Sequence, residues 1–160
     1  YLYQGEELGL PEVADLPAEA LQDPVWIRSG GSQKGRDGCR VPLPWAVTGP
    51  SFGFGPAGSH LPMPAWFSEY AVERQDGEAG STLELYRAAI GMRRHLQTGE
   101  ALTWHDGPDD VVWFSRDNGW HSFTNIGTEP VALPTAQILL ASSPVRDGRV
   151  PGETTVWLRA

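Results

Sequence analysis

The sequence feature that most limits the fold is the density of proline in the first half of the chain. Nine prolines lie between Pro11 and Pro64, and each one removes a backbone N–H donor and fixes φ. Residues 10–80 show no sustained apolar periodicity, and the glycines between Gly49 and Pro64 predict a long loop. An irregular stretch of this length is unusual inside a compact domain. We therefore expect it to lie over a scaffold supplied by other sequence.

One amphipathic helix is predicted at Ser81–Gln97. The run Ser81-Thr82-Leu83-Glu84 matches a capping box, in which Ser81 accepts from a first-turn amide and Glu84 reaches back to the Ser81 N–H. The apolar face of this helix is formed by Leu85, Ala89, Met92 and Leu96. This spacing predicts a helix that buries one side against a core.

The periodicity changes to two after Gly99, which is typical of β-strands. Strands are predicted at Val111–Arg116, Trp120–Asn125, Val131–Leu133, Ala136–Ala141 and Thr154–Arg159. Asp117-Asn118-Gly119 is a hairpin signal between the first two. Trp113, Trp120 and Trp157 are expected in the core or at a domain interface. The pattern indicates a small antiparallel sheet or sandwich over residues 99–160.

Composition argues against several classes of function. The formal net charge of −8 argues against nucleic acid and anionic membrane surfaces as partners. No apolar run is long enough for a transmembrane helix. The single Cys39 excludes an internal disulfide and fits a reducing compartment, so a cytoplasmic location is expected. The four histidines lack metal-ligand spacing and there is no phosphate-binding loop, so neither a metal nor a cofactor is expected.

Two short segments carry the candidate chemistry. They are Tyr1–Gly9, whose first four residues read as the end of a strand closed by Gly5, and the run Lys34–Trp45. Within the second segment, Arg36 and Arg40 place two guanidinium groups four residues apart, and such groups need acceptors. The acceptors can be sugar hydroxyls or a carboxylate. On the residues alone, a structural ion-pair network around Asp37 remains an alternative to a binding site.

Tyr1–Gly9 and Gly35–Trp45 resemble the late part of the catalytic barrel of the α-amylase-superfamily α-glucosidases (glycoside hydrolase family 13), the oligo-1,6-glucosidase and maltase group. The resemblance implies an α+β chain in two parts. Residues 1–98 would hold the last strand, substrate-side loops and last helix of a (β/α)8 barrel. Residues 99–160 would form the C-terminal antiparallel β-sandwich domain.

The resemblance also implies roles for individual residues. Arg36 matches an arginine that hydrogen-bonds the non-reducing terminal glucose, whereas Arg40 and Asp37 look like loop anchors. Glu6 and Glu7 are interpreted as structural anchors as well, because adjacent side chains at a turn diverge. The family's catalytic carboxylates lie on earlier strands, so no catalytic residue is expected in this chain. His105-Asp106 is interpreted as a turn rather than a catalytic motif.

Three functions remain open at this stage. The first is part of a retaining α-glucosidase that releases terminal glucose from short oligosaccharides, with the isolated chain inactive. The second is a superfamily transglucosidase or an isomerase that converts trehalose or sucrose. The third is a non-catalytic carbohydrate-binding or interaction module. The expected partners are an oligosaccharide substrate and the missing N-terminal barrel portion or another chain, without which residues 1–98 are expected to pack poorly.

Overall fold

The computed structural model describes residues 1–97 and 99–160. It divides into two compact units, Tyr1–Tyr86 and Arg87–Ala160, which are described separately below. The predicted domain boundary at residues 98 and 99 falls beside the residue outside this description and stays a prediction. Within the described residues, no helix combines the length and the apolar character needed to cross a membrane.

The first unit consists of short helical segments joined by loops, as the prolines predict. The α-helices are α1 (Pro24–Arg28), α2 (Val72–Gln75) and the start of α3 (Thr82–Leu96). The 3-10 segments are Glu6–Leu8, Ala18–Ala20, Asp37–Arg40, Pro50–Gly53 and Ala65–Glu69. Helix α1 begins where a proline occupies the first turn, a position at which the missing N–H costs nothing.

This unit has its own apolar core. The buried side chains are Val13, Leu16, Val41, Leu61 and Phe67. Phe67 is 1% exposed and packs edge-to-face against Trp66, with ring centroids 4.7 Å apart. Burial of this kind stabilises by about 25 cal/mol per Å² of apolar surface. The expectation that residues 1–98 pack poorly did not allow for a buried core of this kind.

The strand predicted at Tyr1–Gln4 is absent, and this prediction is wrong. Tyr1–Tyr3 have no regular secondary structure and Gln4 begins a turn. The physical reason is that a strand is stabilised by hydrogen bonds to a neighbouring strand, and all the paired strands of the described residues lie between Thr103 and Arg159. Tyr1 and Leu2 are accordingly exposed.

Helix α3 begins as predicted but is capped differently. The Glu84 N–H donates to Ser81 Oγ at 3.2 Å, which is half of the expected capping box. The Glu84 carboxylate, however, accepts from the Gly77 N–H at 3.0 Å instead of reaching back to Ser81. The buried amide of Gln75 supplies a further cap, because its Oε1 accepts from the Leu83 N–H at 3.1 Å. The helix therefore starts against α2 as well as against its own first turn.

The second unit is built on antiparallel strands. They are β1 (Thr103–Trp104), β2 (Val111–Ser115), β3 (Trp120–Asn125), β4 (Val131–Ala132), β5 (Gln137–Ala141), β6 (Arg149–Val150) and β7 (Thr154–Arg159). Five of them form a sheet in the order β1-β2-β3-β7-β5, and β4 pairs with β6 in a two-stranded sheet. All five predicted strands are confirmed to within two residues at either end. Strands β1 and β6 were not predicted.

One face of the larger sheet carries the core of this unit. Phe123, Val150, Val156 and Leu158 are buried, and Trp113 packs against them. Trp120 is buried and meets the half-buried Trp157 edge-to-face, with centroids 5.3 Å apart. The expectation that these tryptophans are packed rather than displayed is confirmed. The end of helix α3 joins this unit, because the Asn118 Nδ2 donates to Leu96 O at 2.6 Å.

His105 is hydrogen-bonded to a strand of the larger sheet and does not lie in the turn that was predicted. Its N–H donates to Trp113 O at 3.0 Å, so the chain continues the ladder beyond β1, and the turn forms at Asp109–Asp110. The rings of His105 and His121 stack at a centroid distance of 5.3 Å. Trp113 Nε1–H donates to His121 Nδ1 at 3.1 Å, which requires that nitrogen to be unprotonated. Burial, and secondly the neighbouring His105, lower the pKa of His121.

We predict an acid-dependent loss of stability that His121→Gln reduces. Because the folded-state pKa is lowered, His121 contributes stability above its unfolded pKa of about 6.5 and loses it as pH falls through the folded pKa. Thermal unfolding followed by tryptophan fluorescence between about pH 8 and about pH 5 should show this slope. His60→Gln, at an exposed histidine, should keep the parent slope. An equal slope in the His121→Gln variant would contradict the prediction.

Candidate functional site

The candidate site is the arginine run Arg36–Arg40, which forms one 3-10 turn. Arg36 stands before the turn, and Asp37–Arg40 make up the turn itself. Gly35 precedes it with φ of +73°, in the left-handed region that favours glycine. The run is thus bent tightly.

Asp37 fixes the backbone at Gln22 and Asp23. Its Oδ2 accepts from the Gln22 N–H and from the Asp23 N–H, both at 2.8 Å, and the residue is 4% exposed. A carboxylate that accepts two backbone N–H groups offsets the cost of its own burial. These contacts join the turn to the segment at Gln22 and Asp23, and the loop-anchor role of Asp37 stays a prediction.

Asp23 is the residue that the sequence analysis did not single out as a site residue. Its Oδ1 accepts from the Val25 N–H at 2.8 Å and caps helix α1, whereas its Oδ2 accepts from the Arg36 N–H at 3.0 Å. Oδ2 also accepts from Arg40 Nη1 at 2.8 Å. The Val25 and Arg36 N–H groups, and then the Arg40 charge, lower the pKa of Asp23. The local signal was Asp-Pro at a helix start, where aspartate is a preferred N-cap.

The network separates the two arginines of the run. Arg40 is taken up by carboxylates, with Nη1 2.8 Å from Asp23 Oδ2 and 3.9 Å from Asp37 Oδ1. Arg36 and Arg40 are both exposed, and the Cζ of Arg36 lies 5.6 Å from the centroid of the Tyr3 ring, a cation–π distance. The expected division into one anchoring and one sugar-binding arginine stays a prediction.

The segment Tyr1–Gly9 is tied to the run by a second set of bonds. Gln4 Nε2 donates to Val41 O at 3.2 Å. Glu7 Oε2 accepts from the Gly5 N–H at 2.9 Å and so closes its own turn. The side chain of Glu6 is exposed, and its role as an anchor stays a prediction.

No pair of carboxyl groups here has the character of a glycosidase acid and nucleophile. Asp23 and Asp37 both face Arg40, but their oxygens are occupied by backbone N–H groups and that guanidinium. The lowered pKa of Asp23 keeps it ionised, which is the reverse of what a proton donor needs. Across residues 1–97 and 99–160 there is also no group of three side chains that could hold a metal ion.

Comparison with known proteins identifies the family. The model for the alpha-amylase catalytic domain matches residues 1–101. A protein described as a probable alpha-glucosidase from Rhizobium meliloti (strain 1021) is 43% identical over 121 residues, which cover 74% of this chain and 21% of the relative. The chain belongs to the alpha-amylase family.

Solved structures agree with this assignment. The alpha-glucosyl transfer enzyme XgtA is 31% identical with a TM-score of 0.77, and the match covers 99% of this chain and 32% of that one. An isomaltulose synthase mutant from Erwinia rhapontici NX5 in complex with D-glucose has a TM-score of 0.77 at 16% identity, covering 99% and 34% of the two chains. At that identity the second match shows the fold alone. The chain spans about a fifth of the curated relative and about a third of these structures.

We predict that Gly38→Ala destabilises the unit that contains the arginine run. A Cβ at this position would lie 2.5 Å from Val13 O, a backbone atom that cannot move aside cheaply. Overpacking of this kind costs about 1–3 kcal/mol. Gly55→Ala is the matched control, because a Cβ there meets nothing within 4 Å. Denaturant unfolding should separate the two variants, and equal stability would show that the close approach does not matter.

Proposed function

We propose that this chain is the C-terminal portion of a retaining α-glucosidase that releases terminal α-linked glucose from short oligosaccharides. The 43%-identical relative, described as a probable alpha-glucosidase, supports the choice of substrate class. In this proposal the first part of the chain supplies substrate-side loops and the last barrel helix, and residues 99–160 supply the C-terminal domain. We place the protein in the cytoplasm, with the single Cys39 as the supporting feature.

The observation that carries the proposal is the different fate of the two arginines. Arg40 pairs with the buried carboxylate of Asp23 although 42% of its side chain is exposed, whereas Arg36 is exposed with its guanidinium near the ring of Tyr3. An arginine offers five N–H donors in a planar fork, which suits vicinal sugar hydroxyls. Arg36 would hydrogen-bond the terminal glucose and hold it in register.

The bond-breaking step would be carried out by carboxyl groups from other parts of the full-length protein. Retaining hydrolysis uses a nucleophilic carboxylate and a protonated acid about 5 Å apart. The nucleophile forms a glycosyl-enzyme while the acid protonates the leaving oxygen, and water then releases glucose. The role of this chain is to bind and orient the sugar that those groups attack.

Glucosyl transfer is the second candidate. The 31%-identical structure is that of an alpha-glucosyl transfer enzyme. Transfer and hydrolysis share the first chemical step and differ in whether a sugar or a water molecule accepts the glucosyl group. Analysis of products formed from maltose, sucrose and trehalose by the full-length protein separates the two.

Arg36→Ala in the full-length protein should raise KM for a terminal α-glucoside roughly 10- to 100-fold, the loss of a hydrogen bond to a charged donor. Most of the effect should appear in KM because the contact is made with the bound substrate as well as the transition state. Steady-state kinetics with a chromogenic α-glucoside measure it. Arg28→Ala, at another exposed arginine of the same unit, is the control. If both variants keep the parent KM, Arg36 does not bind the sugar.

The purified 160-residue chain should show no α-glucosidase turnover. The reason is that removal of catalytic groups costs several powers of ten in rate. The assay uses the same chromogenic α-glucoside, with the full-length protein as the positive control. Turnover by the chain alone, at a rate that scales with its concentration and survives repurification, would overturn the proposal that the chemistry lies elsewhere.

A further inference from the structure

The backbone of Arg36 is held by a buried carboxylate, that of Asp23. The geometry points to Asp23 as a positioning residue for Arg36, which fixes the direction in which its guanidinium meets the substrate. This inference rests on the proposed function, because it concerns the same arginine. It adds a residue that does not itself touch the sugar.

One oxygen atom of Asp23 holds both ends of the arginine run. Asp23 Oδ2 accepts from the Arg36 N–H at 3.0 Å and from Arg40 Nη1 at 2.8 Å. The backbone at Arg36 and the side chain at Arg40 are therefore fixed relative to each other. Loss of this oxygen would release the start of the side chain proposed to bind glucose.

The Asp23 carboxylate is held against rotation by further hydrogen bonds. Oδ1 of Asp23 is committed to the Val25 N–H at 2.8 Å, and its backbone N–H is committed to Asp37 at 2.8 Å. The residue is 4% exposed, so water does not compete for these sites. Short bonds to an ionised group are strong and directional.

The backbone at Gly35 approaches the Asp23 side chain closely. A Cβ on Gly35 would lie 2.5 Å from Asp23 Cγ, which is closer than any real contact. Glycine at this position therefore allows the chain to pass directly over the carboxylate, so that the next residue, Arg36, can donate to it. The contact between Asp23 and the Arg36 backbone is therefore a partly buried, closely packed hydrogen bond and not an ion pair on the surface.

The guanidinium end of Arg36 lies near the ring of Tyr3. The Arg36 Cζ lies 5.6 Å from the Tyr3 ring centroid. The guanidinium thus has a ring beneath it while its backbone is held by Asp23. Because both ends are held, the side chain loses little entropy when it binds, which is the advantage of a preorganised contact.

The test is Asp23→Asn in the full-length protein, measured by steady-state kinetics on the chromogenic α-glucoside. Asparagine preserves the side-chain size and can still cap helix α1, but it removes the charge that holds Arg40. We expect KM to rise about tenfold with kcat nearly unchanged, since the misplaced group is one that binds. Asp15→Asn, an exposed carboxylate in the same unit, should keep the parent KM.

A double-mutant cycle with Arg36→Ala distinguishes positioning from a general structural role. If Asp23 acts through Arg36, Asp23→Asn should add no further rise in KM once Arg36 is alanine. An equal further rise in that background would overturn the inference. If Asp23→Asn does not fold, Asp23→Ser takes its place, because serine caps the helix but is too short to serve Arg36 and Arg40 together.

The same cycle separates failure of the inference from failure of the proposed function. A parent-like KM in Arg36→Ala would reject the proposed sugar contact and with it any positioning through Arg36. A raised KM in Arg36→Ala together with a parent-like KM in folded Asp23→Asn would keep the proposed function and reject the positioning role.

Discussion

The buried carboxylate of Asp23 is the interaction on which the candidate site depends. A charge removed from water must be met by donors, or the group would be neutralised or the fold lost. Here the donors come from helix α1, from the backbone of Arg36 and from the side chain of Arg40. The start of helix α1 and the arginine run are thereby joined at one side chain, in a region whose prolines prevent longer regular elements.

Both units use a buried polar side chain in this way. In the first unit the amide of Gln75 donates to Leu8 O at 3.0 Å and accepts from the Leu83 N–H at 3.1 Å. In the second unit the buried Asn125 donates to Glu129 O at 2.8 Å and to Pro151 O at 2.9 Å. Irregular backbone next to a core must have its polar groups satisfied, and a side chain supplies what a neighbouring strand or helix turn cannot.

The predictable part of the fold is the part with a local period. Helix α3 and the four longer strands, β2, β3, β5 and β7, follow from spacing, because burial of one face repeats along each element. The strand at Tyr1–Gln4 was wrongly predicted because a strand depends on a partner that its own sequence does not encode. In the site, the pair of arginines was found from spacing, but the acceptor Asp23 stands 17 residues from Arg40 and is joined to it only by the fold.

The close approach of Gly38 to Val13 has a consequence for how this family can vary. The space left for position 38 is smaller than a methyl group, and the other wall is the backbone of the loop that carries Val13. A relative with a side chain at the equivalent position must therefore have a differently placed loop. We therefore expect insertions or substitutions near Gly38 and near Val13 to occur together and to be rare in either segment alone.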